Sequence, residues 1–164
     1  MKYYINNLLL YAIFGFIFET ILKYTVYPNI NNGSLFGPWI PIYGFGVCII
    51  IFISKKIKLT KTFKLLLVFF ISMFILTILE FIGGNLLELI TNKVYWDYSH
   101  LKYHFGKYIA LEISLIWGLL SIIVNYLIKP LTDKLIKKIP STLTYLVFSI
   151  FILDFTVSFL KHII

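Results

Sequence analysis

The chain has 164 residues, 60% of them hydrophobic and 13% charged, with a formal net charge of +8 whose basic side is 15 lysines. A soluble domain runs about 45–50% apolar and about 25% charged, so one of this length would lack the polar surface to coat such a core; a soluble enzyme is nearly excluded. Five membrane spans of about 20 residues would use the apolar supply, and the lysines fall in the gaps between apolar runs, which reads as membrane topology rather than nucleic-acid binding.

No linker or repeat divides residues 1–164, so one multi-pass transmembrane domain in the cell membrane is the simplest organisation. Cys48 is the single cysteine, which rules out an intrachain disulfide. No G-x-x-x-x-G-K-[ST] phosphate loop occurs, so any ATP-driven role needs another chain. No cofactor is expected.

The first apolar stretch, Leu8 to Tyr27, follows Met1-Lys2 but lacks a small-x-small cleavage site and reads as a retained signal anchor. It carries Glu19 and Lys23 at i,i+4 with the acid first, on a face shared with Ala12 and Gly15. That makes a small-residue seam bearing an ion pair. The pair is either functional or merely self-neutralising for insertion.

The second stretch, Trp39 to Ser54, lies within Gly37-Pro38-Trp39-Ile40-Pro41-Ile42-Tyr43-Gly44-Phe45-Gly46, through which a straight helix is improbable. Either the span is short or broken near Pro38 and Pro41, with backbone groups that need protein partners, or Pro41 simply opens a helix, where proline is tolerated.

The third stretch, Leu65 to Ile90, holds Glu80 and Glu88, offset by about 80° around a helix, with Thr77, Gly84 and Leu87 on the same broad face. Gly83-Gly84 invites close backbone approach, in a cavity wall or a packing seam. The loop that follows contains Tyr95-Trp96-Asp97-Tyr98-Ser99, an aromatic belt that does not itself require Asp97. His100 and His104 are weak evidence for a metal, and none is expected.

In the fourth stretch, Tyr108 to Ile128, Ser114, Gly118, Ser121 and Asn125 form a packing stripe flanked by Trp117. Glu112 points away near the outer end and can snorkel. Pro130 to Ile139 forms a short amphipathic helix suited to anionic lipid or to a cytosolic ATPase. The fifth stretch, Thr142 to Ile163, carries Asp154 with no good local cation, so Lys23 or water is its expected partner.

Lysines set the orientation. Lys2, the run from Lys55 to Lys64 and the group from Lys129 to Lys138 outweigh those in the alternate loops, which places the N-terminus inside and the C-terminus outside.

Gly15 with Glu19 and Thr20, the Gly37-to-Gly46 run, Leu79-Glu80 with Gly84 and Leu87-Glu88, Trp96-Asp97-Tyr98-Ser99 and Trp117-Gly118 together resemble the bacterial family named putative ABC-transporter permease, CmpB-like, type IV. The match spans roughly residues 8 to 136 and departs at Leu101 to Phe105. The resemblance implies an all-α multi-pass membrane protein acting as a transporter permease, in a homo-oligomer or with a separate ATPase subunit. Matched positions that are also costly in a membrane are Glu19, Tyr43, Glu80, Glu88 and Asp97, expected to line a polar cavity that opens outward. Lys23, Pro41, Gly44, Gly84, Trp96, Glu112 and Asp154 would support them. Two other readings stay open: a membrane enzyme acting on lipid, with Glu80 and Glu88 as acid and base, and a structural or regulatory subunit whose buried charges only pair helices.

Overall fold

The computed structural model describes residues 1–25 and 35–163, and almost all of their regular structure is helical. The predicted end of the first stretch at Tyr27 lies outside the described residues. Helix α1 runs Lys2–Thr25, α2 Pro41–Lys56, α3 Lys61–Thr91, α4 Leu111–Ile123, α5 Lys129–Lys138 and α6 Ser141–Ile163. Strands β1 (His104–Phe105) and β2 (Ile109–Ala110) pair antiparallel in a hairpin before α4. Gly106 sits at its turn with φ +64°, where glycine carries no Cβ penalty.

Local chemistry explains the ends. Pro41 is the first residue of α2, where its missing N–H costs nothing. Asn92 closes α3 in the left-handed conformation, its N–H donating to the Glu88 carbonyl. Between α4 and α5 the chain stays helical through a π turn, Val124–Ile128. The expected surface helix is therefore the continuation of the fourth span, one 28-residue rod from Leu111 to Lys138.

Among the described residues, four helices are long and apolar enough to cross a membrane: Lys2–Ile21, Lys61–Thr91, Leu111–Lys138 and Ser141–Lys161. Helix α2, with 16 residues, is about 24 Å long, short of a hydrocarbon core of about 30 Å. The exterior matches that solvent. Large side chains such as Phe74, Leu89 and Leu153 point outward, while Ser72, Ser114, Ser121, Thr144 and Ser158 are buried. Small residues inside and apolar ones outside are what helix association in lipid requires.

α1 packs chiefly on α2, and α3 on α4; α2 also meets α3, and α6 lies against α1 and α3. A Cβ on Gly44 would fall on the Leu8 carbonyl oxygen, so α1 and α2 touch backbone to backbone. At one end Lys55 Nζ lies 4.3 Å from the Tyr3 ring centroid and Tyr3 Oη donates to Asp133 at 2.9 Å. Tyr11 and Thr132 share a hydroxyl hydrogen bond of 3.0 Å. These contacts gather the start of α1, the end of α2 and α5 at the lysine-rich end.

Candidate functional site

Two glycines place two tyrosines on two glutamates in the same way. Gly15 leaves room for the Tyr43 ring, which a Cβ would strike, and Tyr43 Oη then donates to Glu19, one turn further along α1, at 3.0 Å. Gly84 does the same in α3: the Tyr108 ring covers it, and Tyr108 Oη donates to Glu88, again one turn on, at 2.6 Å. Lys107 Nζ binds the other Glu88 oxygen at 2.6 Å.

The expected Glu19–Lys23 ion pair is not formed. The ion pairs among the described residues are Lys107–Glu88 and Lys129–Asp133. The helical spacing permitted the pair, but the gap at Gly15 admits a tyrosine that reaches the carboxylate first.

Glu80, midway along α3, is 5% exposed. Tyr98 Oη donates to its Oε1 at 2.7 Å, and Trp117 Nε1 donates to its Oε2 at 2.7 Å. The Trp117 ring meets Tyr43 edge-on at 5.7 Å between centroids. A chain of contacts thus runs from Glu19 through Tyr43 and Trp117 to Glu80 and Tyr98. Glu88 takes no part in it, being held by Lys107 and Tyr108 beside the hairpin.

Beside Glu80 lies a cavity of about 200 Å³ bounded by α1, α2, α3 and the rod of α4 and its π turn. Gly15, Tyr43, Trp117 and Ser121 contribute to its wall, and the rest is largely aliphatic and phenyl. Among the described residues Glu80 is the only acidic one on that wall, and Glu19, Glu88 and Asp97 do not line it. Glu19 stands behind Tyr43. Val124 and Ile128 of the π turn also face the cavity. Such turns are frequent at functional sites.

The segment before α2 has its own acidic anchor. Asp154 of α6 accepts from Phe36 N (3.1 Å), Gly37 N (2.7 Å), Trp39 Nε1 (2.6 Å) and Ser158 Oγ (3.0 Å). The Ile40 N–H donates to the carbonyl of Ala12, halfway along α1, at 3.0 Å. Helix α2 therefore starts cleanly at Pro41, and the non-helical backbone ahead of it finds the protein partners that an unwound segment needs at such depth. Asp154 is thus partnered by backbone, indole and hydroxyl donors rather than by Lys23.

Asp97 is exposed and turns back to accept from the Ser99 N–H at 2.8 Å, outside the cavity. Those Ser99 hydrogen bonds hold its carboxyl below the ordinary range. Burial first, then the neighbouring Glu80, raises the Tyr98 phenol. Burial, with Glu88 and Asp97 adding to it, pushes Tyr108 up to about 12. Trp96 meets Tyr108 edge-on at 5.7 Å, and Glu112 accepts from the Tyr103 N–H at 3.3 Å, so both serve the hairpin. No group of three metal-ligating side chains occurs among the described residues.

Sequence reasoning missed Tyr98, Tyr108 and Lys107 and treated Trp117 as a bystander. The one available signal was the repeated Gly-x-x-x-Glu spacing at Gly15/Glu19 and Gly84/Glu88, which leaves a ring-sized gap one turn before each acid. The family model described as putative ABC-transporter type IV matches residues 7–162. No curated protein and no solved structure matches the chain.

Proposed function

The chain belongs to the putative ABC-transporter type IV family, and from that premise we propose that it is the membrane permease component of a transporter in the cell membrane, with the Glu80 cavity as part of its pathway. The observation that carries this reading is Glu80 itself, a carboxylate 5% exposed on the wall of a cavity, held by Tyr98 and Trp117. An ionised group in a span costs about 2.5–3.5 kcal/mol even on the lenient insertion scale. A span that only packs has no use for that cost. Glu19 and Tyr43 form the adjoining part of the pathway. Glu88 and Asp97 shape the outer hairpin above it.

Hydrolysis comes from a separate nucleotide-binding subunit that engages the lysine-rich end, where α5 exposes Leu131 and Leu135 beside Lys134, Lys137 and Lys138. The test is purification of the full chain from its native membrane after crosslinking in place. The reading predicts a co-purifying nucleotide-hydrolysing subunit whose ATPase activity changes in Glu80→Gln. Recovery of the crosslinked chain with no such subunit would contradict it.

A further inference from the structure

Beyond its place on a pathway, the cavity has a chemistry that defines what fits it, and we infer that it binds a small amphiphilic organic cation, an ammonium group carried on an aromatic or branched apolar body, admitted sideways from the bilayer between α1 and α4. The inference rests on the proposed pathway only in sharing its location.

Charge comes first. Among the described residues Glu80 is the only carboxylate on the wall, and no lysine pairs with it. The complement it lacks is a cation. Trp117 and Tyr43 stand beside it on the same wall, and aromatic faces attract ammonium ions while making no hydrogen-bond demand on them.

The remaining wall excludes hard ions. Ile50, Leu76, Val124 and Ile128 offer no oxygen ligands, and the hydroxyls of Tyr11, Tyr43 and Ser121 are engaged with Thr132, Glu19 and the Gly118 carbonyl, whereas a calcium ion takes about 6–8 oxygens. A methylated or bulky ammonium ion holds its water weakly and suits such a lining. Size agrees as well: a cavity of about 150 Å³ accommodates benzene, so about 200 Å³ leaves room for a phenyl ring and a small ammonium head.

The route is lateral. Phe14 and Phe18 line the cavity, yet are 39% and 46% exposed on the lipid-facing exterior. Helices α1 and α4 make no extended contact, and α1 meets the rod again at α5, where Tyr11 bonds Thr132. The opening between them therefore faces hydrocarbon, and the ligand needs an apolar part to pass.

The test is equilibrium binding of radiolabelled benzyltrimethylammonium to the full chain in nanodiscs of phosphatidylcholine. Its neutral carbon isostere, neopentylbenzene, serves as competitor. Saturable binding is expected, with the neutral isostere competing at least about tenfold more weakly, a difference of about 1.4 kcal/mol. Glu80→Gln should weaken binding by a similar factor, Glu80→Asp by less, and Glu88→Gln not at all. Equal competition by the isostere, or wild-type affinity in Glu80→Gln, would overturn the inference. Should Glu80→Gln fail to fold, the isostere comparison on the wild-type chain decides alone. Binding without any ATPase partner would remove the transporter reading and leave this one standing. A partnered transporter whose cavity ignores the cation would do the reverse.

Discussion

Tyr98 donates its phenolic hydrogen to Oε1 of Glu80 at 2.7 Å, joining a loop residue to a buried carboxylate 18 positions earlier in the chain. The Tyr98 N–H also donates to the Lys107 carbonyl at 2.7 Å, so the same residue ties the hairpin to the cavity wall. Tyr98→Phe removes one donor and leaves the carboxylate under-satisfied. We expect a loss of about 1–3 kcal/mol, read by reversible unfolding in mixed micelles. Amide exchange should rise across the hairpin while α6 keeps its protection.

Gly44 and Gly83 make a controlled pair. A Cβ at Gly44 meets the Leu8 backbone, which cannot step aside, whereas at Gly83 the nearest atom is Ile42 Cδ1 at 3.7 Å, an ordinary contact. Gly44→Ala should therefore cost about 1–3 kcal/mol through overpacking. Gly83→Ala should be neutral, or stabilising by up to about 1 kcal/mol through helix propensity. Side-by-side unfolding curves check the sign of each.

Much of this was legible in the sequence. The apolar stretches, Pro41 as a candidate helix start, and the Ser114–Gly118–Ser121 seam follow from spacing along single helices, and periodicity carries that information. The partners of the acids were not legible, because they come from other elements. Trp117 lies 37 residues from Glu80, and Trp39 lies 115 from Asp154. At Glu19 the local rule pointed to Lys23, and packing against Tyr43 overrode it. The π turn left no mark either, since Val124–Ile128 reads as an ordinary apolar run.

Asp154 collects donors from Phe36, Gly37 and Trp39, and so fixes the segment leading into α2. Asp154→Leu strands those donors and should destabilise by about 1–3 kcal/mol for the unsatisfied groups. The specific readout is faster hydrogen exchange at the Phe36 and Gly37 amides. Unchanged exchange there would show that the segment is held by something else.

Tyr108 gives a pH test. Its phenol is pushed up to about 12 by burial, the hydrogen bond to Glu88 and the charges of Glu88 and Asp97, against about 10 when unfolded. The folded state therefore retains the proton longer. Its stabilising contribution is fully present below pH of about 10 and is lost as pH climbs to about 12. Glu88→Gln removes a negative neighbour and should lower this pKa, seen as earlier tyrosinate absorbance in a difference titration against Tyr108→Phe.

The central claim is that Glu80 faces an accessible cavity and sets its charge preference. Val124, partly buried and on the cavity wall, can be replaced by cysteine in a Cys48→Ser background. Labelling of Val124→Cys in membranes, with thiosulfonates of similar size carrying either an ammonium or a sulfonate, reads the cavity directly. The account predicts reaction about tenfold faster with the cationic reagent, erased by Glu80→Gln, as expected for a charge acting at short range in a poorly screened site. Equal rates for the two reagents, or no labelling at all, would contradict it.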